Sequence, residues 1–570
     1  WKRGRVISAG ALQKGAGLRL AWRLPGAPDV EVQRRDPGTT NWVSLGRSLP
    51  GEVYEDRTAA PGREYGYRLV SQGVVAPLQG VFGFQLPPIE DRGTLLVLVD
   101  ETLAADLGTP LDQLERNLVG DGWRVVRRTA PRHDDREWRR NTNTVVATRA
   151  MVQREWDLSQ GALRCLLLVG HVVIPYSGMR AEDLHTGRGD NHYGAWPADT
   201  YYADVDGLWT DEYAYPAYLA ATRFPVTHNV PGDGKFDTEW LPANADGEHR
   251  LELGFGRLDF ANMPSLGRGR GAEVTALRQY LEKNHRYRHG GMAARPAAVV
   301  GPYLHTYTDM EMFPSAARAS RLFGFEADTL YEGDLFRLPE GQAAAWGFQS
   351  GGGNLDRIRV GTESVVTTSM LASEKVVPRV LFAMLLGSWF GDWAAGEDNL
   401  LRGIIASRDR GLAAIWVRYT EWMLDPLARG GTLADAQRLT ANESIRTQDP
   451  NRGTTRNLTI HGDPTLRLHS ALPPRRVRGE RGAGGVRLRW EDAQPAEGTA
   501  GWYVYKSTSG WRGPYRRLAV EPAVATEHRD PAGDGAATYL VRRAQRVETG
   551  SGSYTNLSQG VFWPSPRSRD

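Results

Sequence analysis

Between residues 93 and 468 the chain alternates repeatedly between short, continuous apolar runs and segments of helical period. That alternation limits the fold more than any other feature. "GTLLVLVD" (Gly93 to Asp100) is apolar along nearly its whole length, and "LDQLERNLVGDG" then repeats its apolar residues at helical spacing and closes on Gly. "WRVVRRTA" and "RCLLLVGHVVIP" follow, on either side of a second helical stretch at "TVVATRAMVQREW". The pattern resumes with "RPAAVVGP", "VLFAMLLGS", the helix "EDNLLRGIIAS", the strand "GLAAIWVRY", the helix "TLADAQRLTANES" and "LTIHGDPTLRL". Strands apolar throughout are buried on both faces, and strands that alternate with helices need crossover connections. The expected fold class here is α/β, with a mostly parallel sheet covered on both sides.

The flanks read differently. Residues 1–88 hold short alternating segments, "LRLAWRL", "DVEVQRRD", "NWVSLGRSL" and "EYGYRLVSQG", divided by Pro, Gly and Asp turns, as in an all-β unit. The same grammar returns in 473–570 with "VRLRWEDA", "GWYVYKS", "YRRLAV" and "ATYLVRRAQ", and the copies end alike, "LQGVFGF" and "LSQGVFW". Trp22, with Tyr65 and Tyr67 after "APGR", resembles the core Trp and tyrosine corner of a fibronectin type III sandwich. The expectation is a multidomain chain: sandwiches at 1–88 and 473–570 bracket an α/β domain at 89–472, and the Pro-, Arg- and Gly-rich link "LPPRRVRGERGAGG" leads into the second sandwich.

A chain of 570 residues exceeds what one core supports, which agrees with several domains. Its formal charge of +3 gives no reason to expect nucleic acid or an anionic membrane as partner. No apolar run approaches the length of a membrane-spanning helix. Cys165 is the single cysteine, so a disulfide framework or thiolate metal cluster is excluded; in the apolar "RCLLLVGH" it reads as inert core. The chain opens on Trp1 rather than Met, as expected where a secretion leader has been removed.

Four segments of the middle domain, in order, carry a family likeness. They are "LLLVGHVVIP", then "ADTYYADVDGLWTDE" with "LELGFGRLD", then "LFAMLLGSWFGDW", and finally "HGDPTLRL". Together they resemble the gingipain-type cysteine peptidases, relatives of the caspases, with two half-domains and an acidic insertion at about 175–250. In that family a His and a Cys stand on neighbouring strand ends, the imidazole activating the thiolate. The resemblance puts Ser388 on the nucleophile and the turn Gly351 to Gly353, centred on Gly352, where the His belongs. His171 stands where the family has Asp. Loss of both thiol and imidazole implies a catalytically degenerate domain. A Ser388-based secreted peptidase or related hydrolase is the alternative, and it needs a substitute base from His171, His305 or Asp356.

The insertion holds the densest set of acids. "PADTYYADVDGLWTDE" supplies Asp199, Asp204, Asp206, Asp211 and Glu212, and "NVPGDGKFDTEW" supplies Asn229, Asp233 and Asp237. Alternating carboxylates around glycine turns are how a loop surrounds Ca²⁺ with hard oxygens. The expected ligands are Asp204, Asp206 and Asp211 at one site, with Asp233 and Asp237 at the same site or a second. His185 and His192 lack the spacing of a zinc site, and "GRGD" (Gly187 to Asp190) is a short tripeptide motif of low information. The expected role is a secreted or cell-surface binding or assembly protein. Its partners, or copies of itself, would meet exposed edges of the terminal sandwiches. Aromatic residues of "WPADTYY" stacking on a glycan is the remaining reading.

Overall fold

The parallel sheet forms, and it has ten strands. In chain order they are β1 (Thr94–Asp100), β2 (Arg124–Ala130), β3 (Leu163–Val169), β4 (Gly254–Leu258), β5 (Arg295–Val300), β6 (Leu330–Glu332), β7 (Ala344–Ser350), β8 (Val380–Leu386), β9 (Ala413–Trp416) and β10 (Ile460–Gly462). Across the sheet the order is β6-β5-β7-β8-β9-β10-β4-β3-β1-β2. Every neighbouring pair is parallel except β9 and β10. Each half therefore repeats one arrangement: a first strand between a second and a third, then a fourth beyond the third. These features belong to a computed structural model that describes residues 6–11, 17–24, 29–48, 52–71, 78–179, 194–213, 224–302, 312–361, 364–417, 421–447, 457–492, 498–533 and 536–566. The chain is multidomain and sheet-rich, with parallel and antiparallel sheets. No helix among the described residues is long and apolar enough to cross a membrane.

Burial explains the apolar runs. β1 and β7 are buried at every position, between one core on each sheet face. Helices α1 (Gly108–Gly120), α2 (Arg139–Leu158), α3 (Arg270–Arg288), α4 (Leu400–Ala406) and α5 (Leu433–Thr447) cover the faces. The buried face of α3 includes Lys283, Asn284 and Arg288, which dilutes its apolar period; nothing in the sequence singled it out. "HGDPTLRL" is strand only to Gly462, because Asp463 turns the chain by accepting from the N–H and hydroxyl of Thr465. The glycines expected in a tight turn are extended: Gly352–Asn354 pairs with Arg357–Val360, which pairs with Ser364–Thr367.

The N-terminal unit packs a three-stranded sheet on a four-stranded one, and the C-terminal unit packs a three-stranded sheet on a five-stranded one. At the N-terminus Val6–Ala11, Leu18–Arg23 and Val53–Asp56 face Val43–Ser48, Val30–Arg35, Glu64–Val70 and Leu78–Leu86. The second copy repeats the details. Trp22 and Trp490 are buried on equivalent strands, and Tyr67 and Tyr539 each donate to a buried Asp, Asp56 or Asp530, at 2.7 Å. Each of these acids ends a strand, Val53–Asp56 or Glu527–Asp530. Tyr65 accepts from the Ala60 N–H at 3.1 Å, tying the corner.

The two terminal units touch, a contact that no residue pattern announces. Leu78–Leu86 pairs in parallel with Gly552–Leu557, so their larger sheets fuse into one of nine strands. Gly552 sits at φ +113 with its missing Cβ directed at the carbonyl of Gly83, so only glycine fits. Gly552→Ala is therefore expected to open this seam, read as accelerated proteolysis around residue 550 with the central domain intact.

Candidate functional site

The strand ends of the second half carry Ser388 and the glycines Gly351 to Gly353. β7 ends at Ser350 and β8 at Leu386, and the Gly351 N–H donates to the Leu386 carbonyl at 3.1 Å. A Cβ on Gly353 would stand 2.5 Å from both the backbone N and O of Ser388, so two main chains touch and no side chain fits there. Gly387 is pinned as well, its carbonyl accepting from the Trp416 indole N–H at 2.9 Å. Gly352 itself is exposed, and a Cβ on it meets only the Arg359 Cβ at 3.8 Å. Ser388 is half-buried, and Trp389 after it holds a left-handed φ of +68. Its ring stacks on Trp196 at 6.1 Å and meets Phe224 edge-on at 5.6 Å, contacts that compensate the strain. Asp356 pairs with its neighbour Arg357, while His305, His185, His192 and Gly187 to Asp190 lie outside the described residues.

The first half carries a different constellation at its strand ends. Asp100 closes β1, Arg132 follows β2, His171 follows β3 and Asp259 follows β4. The His171 Nδ1 lies 2.8 Å from Asp259 and its Nε2 lies 3.1 Å from Asp135. Arg132 bridges Asp100 (2.6 Å) and Glu273 (2.9 Å). Beneath them Arg257 makes a bidentate pair with Asp199 at 2.9 and 2.6 Å, all fully buried. The Arg257 and Arg402 guanidiniums lie 5.1 and 5.7 Å from the ring centre of Trp393, which meets His461 edge-on. Burial opposes an imidazolium at His171, but the Asp259 charge and the bonds to both carboxylates outweigh it and push His171 up to about 9. Burial, with the His171 charge adding to it, pulls neighbouring His133 down to about 3.

His171 thus carries a stability signature. A histidine raised in the folded state stabilises it fully below its unfolded value of about 6.5, and that gain is lost as pH rises through the folded value. Between about pH 6.5 and 9 the unfolding free energy is expected to fall, with His171→Gln flattening the slope; denaturant melts across that window measure it.

The acids of the insertion divide. Asp204, Asp206 and Glu252 bring carboxylate oxygens within 4.8 Å of one another. Burial, chiefly, holds Asp204 up at about 6 and Glu252 at about 7. Glu252 lies 46 residues beyond Asp206, just before β4, where no local spacing announced it. Asp211, expected beside Asp204, instead accepts from the N–H groups of Gly232 (2.8 Å) and Gly234 (2.7 Å). Asp237 accepts from the N–H groups of Glu212 and Tyr213, and Asp233 pairs with Lys235 at 3.1 Å. Glycine-turn amides and a lysine give these three their compensation, so they do not converge with Asp204. At the first group Arg149 and Gln153 of α2 hold the carbonyls of Asp204, Val205 and Gly207, while Asp204 accepts from the Gly207 N–H and the Trp209 indole, Glu252 from the Val205 N–H and Asp206 from the Asn244 amide.

No family profile and no curated protein matches the chain. Among solved structures, a Fn3-like protein from Clostridium thermocellum aligns at 17% identity over 17% of this chain and 97% of its own, with a TM-score of 0.13. A bacterial orthologue of human α-L-iduronidase aligns at 10% identity over 80% of this chain and 95% of its own, and the Bacteroides uniformis β-glucuronidase 3 at 9% over 98% and 63%, each with a TM-score of 0.13. Likenesses this slight carry no argument about fold or activity.

Proposed function

We propose that this is a secreted or cell-surface binding or assembly protein, built on a gingipain-like scaffold whose peptidase centre has degenerated and braced by two fibronectin type III-like sandwiches. The supporting observation is the contact of Gly353 with Ser388. Where the family needs an imidazole beside a thiol, two backbones meet and the remaining nucleophile is a hydroxyl, which is weak without an adjacent base. Partners would meet the outer sandwich edge at Val43–Ser48, since the inner edges are already paired with each other. The left-handed Trp389 favours the alternative, a serine hydrolase with a strained turn behind Ser388. A fluorophosphonate probe tests this: the chain is expected to stay unlabelled, and labelling lost in Ser388→Ala would overturn the binding reading.

Calcium is proposed at Asp204, Asp206 and Glu252, where it would neutralise crowded carboxylates. With few further oxygens open, its affinity falls in the weak extracellular range of about 0.1 to 1 mM. Calcium at about 1 mM then stabilises by roughly 0.4 to 1.4 kcal/mol. Melting is expected to drop in chelator and to become chelator-insensitive in Asp206→Asn. An unchanged melting temperature in chelator would remove the site.

A further inference from the structure

The two halves of the sheet share one strand order, so their strand ends correspond. The end of β7, where the second half has Gly351 to Gly353, corresponds to the end of β3, where the first half has Gly170 and His171. The end of β8 before Ser388 corresponds to the end of β4 before Asp259. The second half is closed at this place by touching backbones. The first half is open, with a cavity of about 940 Å³ above the ends of β1, β2, β3 and β4. In both halves the strand order reverses between the first strand and the third. In open α/β sheets ligands bind in the crevice outside the carboxyl ends of the strands at such a reversal.

The charges of the cavity wall select a ligand. Arg132 is held by Asp100 and Glu273, Lys235 by Asp233, Arg270 by Asp106, and Asp134 by Arg140. Asp135 is held by His171 and by the Asn262 side chain, and its own side chain is 41% exposed at the wall, which leaves a carboxylate with lone pairs to accept again. Two guanidiniums on the wall, Arg136 and Arg268, are exposed and pair with no carboxylate among the described residues; Glu397 is the acid left over. Trp138, Tyr176 and Phe224 supply apolar surface. The lining therefore offers surplus forked cations, a fixed carboxylate acceptor and an aromatic side.

We propose that this cavity is a binding site for a small organic carboxylate, its acid group taken by Arg136 and Arg268 and a hydroxyl or N–H donor taken by Asp135. Guanidinium forks match a carboxylate in two parallel hydrogen bonds. His171, clamped between Asp259 and Asp135, is a positioning residue that fixes the acceptor. Both a peptide C-terminus and a hexuronic acid have this chemistry. The site is independent of Ser388, so its failure leaves the reading of that crevice untouched.

Ligand-observed NMR on the full chain tests the proposal with two sets of probes: N-acetyl amino acids and short peptides, and hexuronic acids, each beside its neutral amide. The expected result is binding below about 10 mM by one set, which identifies the source of the carboxylate. The amide and the surface variant R136A/R268A should each weaken it at least about tenfold. Asp135→Asn should discriminate further, weakening probes that carry a donor more than simple acetate. Absence of binding by both sets, equal binding of acids and amides, or unchanged affinity in R136A/R268A would overturn the site.

Discussion

Asp121→Ala is expected to cost about 3 to 5 kcal/mol, the usual loss when one partner of a buried ionic network is removed. Asp121 ends α1 and lies 2.6 Å from Arg288, 2.9 Å from Arg467 and 3.6 Å from Arg542, while its carbonyl accepts from Arg92 at 3.1 Å. Arg288 reaches on to Asp463 at 2.7 Å, and Arg467 binds Asn556 and the Leu557 carbonyl of the C-terminal sandwich. One carboxylate thus sits where the α/β sheet, the link from the N-terminal sandwich and the C-terminal sandwich meet. Burial alone would raise its pKa; Arg467, Arg288, Arg92 and Arg542 reverse that and hold it down at about 2. A depressed acid gives stability that is present above its unfolded value and lost as pH falls, here between about pH 4 and 2. Urea unfolding should show the lower midpoint, and proteolysis should release the C-terminal sandwich first. A midpoint within about 0.5 kcal/mol of the parent would mean that the junction does not depend on this charge.

The second large effect is expected from Lys283→Met. The Lys283 Nζ lies within hydrogen-bonding reach of four carbonyls, those of Ile405 (2.7 Å), Ser407 (2.5 Å), Arg410 (2.8 Å) and Gly411 (2.9 Å), which share its N–H groups between α4 and β9. No carboxylate pairs with it among the described residues, and burial pushes the ammonium well below its usual range. Four converging carbonyl dipoles still need its N–H groups. Methionine fills a similar volume and satisfies none of them. Leaving buried acceptors unpaired costs roughly 1 to 3 kcal/mol each, so a loss of about 3 kcal/mol or more is expected in urea melts. Lys375→Met, on the exposed surface, should change stability by less than about 0.5 kcal/mol.

The sheet was legible because its strands are buried on both faces, and that condition writes itself into sequence as unbroken apolar runs such as Thr94–Asp100 and Val380–Leu386. The sandwiches were legible through alternation and through the paired Trp22 and Trp490. Their parallel seam was not: it rests on backbone pairing near Gly83 and Gly552, and backbone hydrogen bonds leave no mark on residue type. The calcium expectation gathered neighbours in sequence, while the structure brings in Glu252 from the approach to β4 and gives Asp211 to glycine amides. His171 was noticed as a departure from the family pattern. Its partners Asp135 and Asp259 were not, because they come from the ends of different strands and meet only when the sheet assembles.

We propose that the crevice at Ser388 is a His and Cys centre that has lost both groups. Cys165 is fully buried, so a thiol introduced at position 388 can be followed without interference. The pH dependence of alkylation by iodoacetamide would be measured for S388C. The expected result is an ordinary thiol, titrating at about 8.5 and no more reactive near pH 6.5 than a free cysteine. A thiolate reacting at least about tenfold faster than free cysteine near pH 6.5 would show an activating base beside position 388 and overturn the reading.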